Sequence, residues 1–182
     1  PSSAASDVYK RQKEGKWANI APNTPLYKDG KIFFCHGYNI NGVMLQLSDD
    51  LKSVSVVWRT DVLDTHHGGY VEVNGTIYGS NWINNNQGNW CAIDWNTGAK
   101  GYETTWTGGK GKGSIIAADG MLYCYDERRG AVALVNPDPA KFDIVSEFRI
   151  TKGVGPHWAH PVIVNGVLYI RHGFALMAYK VK

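Results

Sequence analysis

The sequence is short of the features that would assign a chemistry at sight. It has three cysteines, Cys35, Cys91 and Cys124, at spacings that match no CxxC zinc or redox motif. A disulfide-rich scaffold is therefore excluded, and at most one pair could be oxidised. No run of 18 apolar residues occurs, so no segment reads as a membrane-spanning helix. No convincing amphipathic helix is visible, and residues 140–142 are too few to make one. Charge of one sign is lacking too: 19 Lys and Arg stand against 16 Asp and Glu, a formal +3 without the clustering that marks a nucleic-acid footprint. Lys110-Gly-Lys-Gly113 is basic and glycine-rich, but it lacks the GK[ST] ending and leads into no helix; it reads as a solvated loop, not a phosphate cradle. No Ser/His/Asp or Cys/His set can be identified, and too few carboxylates recur at like positions to suggest an acid/base pair.

What is present is apolar and aromatic. Of 182 residues 43% are hydrophobic, enough for a packed core, and there are 7 Trp, 10 Tyr and 21 Gly, a mixture that favours strands and tight turns. A repeat organises them. Asp29-Gly-Lys-Ile-Phe33, Asn74-Gly-Thr-Ile-Tyr78, Asp119-Gly-Met-Leu-Tyr123 and Asn165-Gly-Val-Leu-Tyr169 place Gly30, Gly75, Gly120 and Gly166 at intervals of 45, 45 and 46 residues. Each Asn/Asp-Gly pair signals a type I′ hairpin, because both residues tolerate positive φ. This reading also explains Asn74-Gly-Thr76 without invoking glycosylation.

The hairpins set out a strand pattern. First strands are expected at 25–27, 70–73, 115–118 and 162–164, and second strands at 31–34, 76–79, 121–125 and 167–171. Third strands follow at 43–47, 91–95, 131–135 and 175–179. Fourth strands ending in an aromatic follow at 54–58, 102–106 and 144–148, and the last repeat lacks one. Four antiparallel strands in 40–50 residues make a β-propeller blade. The expected fold is all-β: a β-propeller fragment with three complete four-stranded antiparallel blades plus a partial fourth, the repeats spanning about 21–60, 66–108, 111–150 and 157–182. Trp58, Trp106 and Phe148 recur at one position and read as blade-to-blade core, not a sugar platform. Cys35 and Cys124 share a second-strand position but belong to repeats one and three, outside the Cα range a disulfide needs.

The first twelve residues do not fit this pattern. PSSAASDVYKRQ lacks an initiator methionine and any periodicity, and DVYKRQ is what the transposon-end adapter GATGTGTATAAGAGACAG encodes. Residues 1–12 are expected to be adapter-derived and no part of the fold, leaving 13–182 as propeller. Trp17 stands where the fourth strand of an earlier blade would end. Further blades, and any secretory leader, are accordingly expected upstream.

The repeats resemble those of the pyrroloquinoline-quinone-like (PQQ-like) propellers of the quinoprotein alcohol dehydrogenase-like superfamily. Ala92-Ile-Asp94-Trp-Asn-Thr97-Gly98 matches the AxDxxTG core of that repeat, although Tyr102 stands where a Trp is expected. His66-His-Gly-Gly69, Lys112-Gly-Ser114 and Trp158-Ala-His-Pro161 are similar to segments of secreted bacterial proteins of this type. The resemblance implies a periplasmic or secreted protein. It implies either a non-catalytic binding or scaffold propeller or part of a PQQ-dependent alcohol or polyvinyl-alcohol dehydrogenase; a glycan-binding or glycan-processing propeller is the third reading. Quinoprotein dehydrogenases hold PQQ above calcium beside a base Asp, often against an adjacent-cysteine disulfide. No adjacent Cys pair, calcium ligand or base Asp can be matched here, so no cofactor or metal is assigned to this chain; PQQ and calcium would enter only if the whole protein is a quinoprotein. Expected partners are upstream blades of the same protein and a small-molecule, glycan or protein ligand, with no nucleic acid and no membrane span.

The repeat register yields a candidate site. In an up-and-down blade the loop leading into strand one and the loop between strands two and three share a rim. The lead-in loops carry His66, His67, Lys112, His157 and Trp158; the strand-two/three loops carry His36, Asn81, Trp82, Asp126 and His172. Five of six histidines thus fall on one rim, and His160 lies at the start of an innermost strand. Two readings stand side by side: a shared ligand site, or imidazoles that satisfy turn carbonyls. A metal is not expected, because His157 and His160 enter a strand, where their side chains diverge. Asn84-Asn-Asn-Gln87 reads as a polar hairpin tip.

Overall fold

The computed structural model describes residues 22–181. The adapter-like segment 1–12 and Trp17 lie outside the described residues. Within them the chain is all-β and forms four antiparallel sheets. Blade one comprises β1 (Leu26–Lys28), β2 (Lys31–Phe34), β3 (Gly42–Leu47) and β4 (Val54–Thr60). Blade two comprises β5 (Tyr70–Val73), β6 (Thr76–Ser80), β7 (Trp90–Asp94) and β8 (Lys100–Thr104). Blade three comprises β9 (Gly113–Ala118), β10 (Met121–Asp126), β11 (Ala131–Asn136) and β12 (Asp143–Arg149). Blade four has only β13 (Val162–Val164), β14 (Val167–His172) and β15 (Ala175–Lys180). Strands pair in sequence order within each sheet, as consecutive hairpins require.

The hairpins dictate this regularity. Asp29, Asn74, Asp119 and Asn165 have φ of 50–51°, and the glycines that follow have φ of 72–83°. Both turn residues are therefore left-handed, the type I′ geometry whose twist matches the strands it joins. The turns fix one register: Lys28 faces Lys31, Val73 faces Thr76, Ala118 faces Met121 and Val164 faces Val167. Because side chains alternate along a strand, the motif aromatic falls on the same face of every blade. The aliphatic residue before it falls on the opposite face.

Those two faces meet between blades. Phe33 and Met44 of blade one pack on Ile77, Ile93 and Trp95 of blade two. Tyr78 and Ala92 of blade two pack on Leu122, Cys124 and Ala133 of blade three. Tyr123, Tyr125 and Val132 of blade three pack on Leu168 and Ile170 of blade four. Burying one such side chain is worth about 1.5–3 kcal/mol, so the junctions hold the arc together. On blade four the equivalent aromatic, Tyr169, is 37% exposed, against 0–6% for Phe33, Tyr78 and Tyr123. Its face also leaves Val162, Val164 and Leu176 exposed.

The outer strands share an irregularity. The pairing shifts by one residue between Met44/Leu45, Ala92/Ile93 and Leu134/Val135. Each shift is a bulge that bends the fourth strand. In blade two the bulge and the Asp94–Gly98 turn bring strand four in at Lys100–Thr104 instead of 102–106, so Trp106 lies past its end yet stays buried. Trp106 sits edge-on to Trp90 at 5.9 Å and donates its indole N–H to Glu147 at 2.9 Å. The AxDxxTG segment makes the turn itself: Asp94 accepts hydrogen bonds from the backbone N–H of Asn96 and Thr97 and from the Thr97 hydroxyl, at 2.8–2.9 Å. Gly98 then passes beneath Trp58 of blade one, where any Cβ would lie 2.6 Å from the indole. Phe148 meets Tyr179 of blade four at 4.8 Å but is half-exposed, no outer strand of blade four lying beyond it among the described residues. All three cysteines are buried free thiols.

Candidate functional site

The lead-in loops and the strand-two/three loops come together on one rim, as their connectivity requires. Asn23, in the lead-in loop of blade one, anchors the loop of blade two. Its side-chain amide donates to the carbonyls of Thr65 (2.9 Å) and His66 (3.0 Å), and its oxygen accepts the N–H of Gly69 (3.1 Å). With the backbone so held, His66 and His67 present adjacent rings, 4.7 Å between centroids.

The two imidazoles form the middle of a row. Trp82 lies 5.0 Å from Tyr38, and Tyr38 lies 4.8 Å edge-on to His66 with its hydroxyl 2.7 Å from Nε2. His67 continues to Trp158 of the blade-four lead-in loop at 5.4 Å. Trp158 ends the row with 58% of its surface exposed. Centroid spacings in this range suit edge-to-face aromatic contact.

Charge lies beneath the row. His67 Nε2 is 3.1 Å from Glu127 Oε2, and the other oxygen of Glu127 accepts from Lys112 Nζ. Lys112 also donates to the carbonyl of Asn85 at 2.9 Å. Lys112 and Glu127 are both buried, which corrects the reading of 110–113 as a wholly solvated loop: that loop passes between blades two and three, and the pair neutralises itself inside. Burial opposes ionisation of Glu127, but hydrogen bonds from His67 and Lys112 outweigh it and hold the carboxyl below its ordinary value. His66 is pushed down to about 4, first by burial and then by His67 and Lys112. It is therefore neutral near pH 7, when its Nε2 can accept the Tyr38 hydroxyl proton.

A second group lies at the junction of blades three and four. His157 and His172 stack at 3.6 Å with planes 21° apart, and the Tyr125 hydroxyl bonds His157 Nδ1. The remaining candidates are built into the loops. Asn81 donates to the carbonyl of Val62 (3.1 Å) and to Glu103 (2.8 Å), and accepts from Asn89 N–H (2.7 Å). Asp126, fully buried, accepts from the backbone N–H of Lys110, Arg128 and Arg129. His36 is buried within the loop after β2. His160 reaches back to the His67 carbonyl, with Nε2 at 2.8 Å.

Register reasoning from the sequence missed Tyr38, Glu127 and Tyr125, since it looked only at fixed offsets from the marker glycine. Tyr125 and Glu127 flank the candidate Asp126, an adjacency visible in the sequence. No three His, Cys, Asp or Glu side chains among the described residues are arranged to hold a metal ion. No helix among them is long and apolar enough to cross a membrane.

Several solved structures share this architecture. BamB from Moraxella catarrhalis aligns with a TM-score of 0.64 at 13% identity, covering 90% of this chain and 47% of its own. The computationally designed Ika8 protein aligns at 0.62 with 5% identity, covering 88% of this chain and 46% of its own. The quinohemoprotein alcohol dehydrogenase ADHIIG from Pseudomonas putida HK5 aligns at 0.57 with 16% identity, covering 81% of this chain and 28% of its own. The chain thus spans less than half the length of each. At these identities the likeness is one of fold, a β-propeller. No protein-family profile and no curated protein sequence matches the chain.

Proposed function

We propose that the chain is part of a binding propeller, acting in the periplasm or outside the cell, whose ligand docks on the lead-in rim. The observation that carries this is the row Trp82–Tyr38–His66–His67–Trp158, which ends on an exposed indole and lies over the buried Lys112–Glu127 pair. Such a surface offers aromatic area and neutral hydrogen-bonding edges, suited to an uncharged small molecule, a glycan or a protein segment. A redox role fits less well. Calcium takes about 6–8 oxygen ligands, whereas the rim carboxylates are committed elsewhere. Asp126 is bound to three backbone N–H groups and Glu127 to Lys112 and His67, while Oδ1 of Asp64 accepts from the N–H of Gly37 at 2.8 Å. Carboxylates held in this way offer calcium few free oxygens.

The open face of blade four supports a second partner. Tyr169 stands where Phe33, Tyr78 and Tyr123 are each covered by the next blade, so this face suits a further blade of the same protein. The functional test uses the intact protein. Titration with cellohexaose should change tryptophan fluorescence saturably. Trp158→Ala should abolish that change and leave the unfolding midpoint in place. A stoichiometric absorbance change on adding PQQ with calcium chloride would overturn the binding reading in favour of a quinoprotein.

A further inference from the structure

The stacked histidines lie one residue from the row. His157 belongs to the same lead-in loop as Trp158, and His172 ends β14. His172 is fixed from both sides: Nδ1 lies 2.8 Å from the Lys152 carbonyl and Nε2 lies 2.7 Å from the Gly155 carbonyl. The stack places the His157 ring 3.6 Å from this fixed ring, with planes 21° apart. Both side chains are buried, so a proton taken up on His157 sets a desolvated charge against the stack.

We infer that His157 is an acid-release latch for the rim: proton uptake on His157 breaks its stack with His172, frees the blade-four lead-in loop and withdraws Trp158 from the row. This is regulation of the binding site proposed above, and its consequence for a ligand rests on that reading.

The surroundings of His157 support the direction. From β10 it faces Tyr125, whose hydroxyl bonds Nδ1, and Asp126, whose carboxylate is held by three backbone N–H groups. From the loop after β10 comes Gly130, whose backbone lies against the ring, and the Glu127 carbonyl accepts the His157 backbone N–H at 3.3 Å. The Glu127 carboxylate is turned away to Lys112 and His67. From blade four the ring faces His172. Burial lowers the affinity of His157 for a proton, His172 lowers it further, and Asp126 opposes weakly. The folded value is thus below the ordinary 6.5, so the open loop binds more protons than the closed one, and closure weakens as pH falls below about 6.5. Tyr125 bonds Nδ1 in either protonation state, so the stack is the part that fails. Two contacts go with it: Trp158 on His67, and His160 on the His67 carbonyl.

The test is backbone hydrogen exchange of the intact protein at pH 7.5, 6.5 and 5.5, corrected for the intrinsic pH dependence of exchange. Protection of residues 151–161 should fall with pH, approaching about tenfold per unit below pH 6.5, while residues 70–94 keep theirs. In His157→Gln the same segment should show no pH dependence. If that variant does not fold, histidine NMR of the wild type decides: the His157 resonance should titrate below 6.5, in step with the loss of protection. Unchanged protection in the wild type, equal loss in His157→Gln, or titration at or above 6.5 would overturn the latch. The exchange experiment uses no ligand. The latch can therefore fail while rim binding stands, and rim binding can fail while the latch stands.

Discussion

Replacing Glu127 by Gln tests the buried charge beneath the rim. Lys112 and Glu127 have 3% and 7% of their surface exposed, and each is the other's principal counter-charge. Glu127→Gln keeps the shape but leaves the Lys112 ammonium with the Asn85 carbonyl and a neutral amide. Removing one partner of a buried pair costs about 3–5 kcal/mol, because the remaining charge stays desolvated. Against a typical domain stability of about 5–15 kcal/mol this is a large fraction. With a urea m-value of about 1–3 kcal/mol/M the unfolding midpoint should fall by roughly 2 M. Lys112→Met combined with Glu127→Leu removes both charges, and should recover most of that loss. The acid limb changes as well. The folded carboxyl of Glu127 lies below its ordinary 4.5, so its contribution is present above that pH and is lost as pH falls through the folded value. Glu127→Gln should remove that part of the acid sensitivity. Urea titrations at pH 7 and pH 4 measure both effects. A cost below about 1 kcal/mol, the worth of an exposed ion pair, would refute the claim that the pair is dry. A double variant no better than the single one would refute the claim that it is balanced.

Two further predictions concern the blade junctions. Phe142 stacks on Trp90 at 5.6 Å and packs against Tyr102 and Trp106, so Phe142→Ala should cost about 3–5 kcal/mol, read as a lower urea midpoint at constant m-value; a cost under about 1 kcal/mol would mean the loop collapses into the gap. The three cysteines are buried with thiol pKa values raised by desolvation. Iodoacetamide at pH 8 should therefore label none of them in the native protein and all of them in urea, and native labelling of Cys124 would show that the junction of blades two and three opens.

Legibility in the sequence followed the range of the interactions involved. The Asn/Asp-Gly hairpins are local: two left-handed residues and a tight turn fix the register of four strands, and both the pattern and its position could be read directly. The missing outer strand of blade four was equally plain. Strand four of blade two was misplaced by two residues because its position depends on a bulge at Gly101 and on a turn closed by Asp94. Neither leaves a mark in hydrophobic alternation. Phe142 was passed over as a fragment too short for a helix. Its role appears only when Trp90, more than 50 positions away, is brought against it.

The rim marks where register reasoning stops. His36, Asn81, Asp126 and His172 occupy one offset from the marker glycine, and the fold does put them at one place in four blades. Their chemistry there differs completely. His36 is buried, Asn81 ties a hairpin, Asp126 gathers three N–H groups, and His172 holds two carbonyls and a second ring. A repeat fixes backbone position through turns and faces, which are periodic. The role of a polar side chain is fixed by what neighbouring loops bring to it, and loops are where the repeats diverge in length and composition. The contact between Trp158 and His67 joins loops of blades two and four, across nearly a hundred residues. Binding chemistry in this fold therefore belongs to the residues that depart from the repeat, while the residues that obey it hold those departures in place.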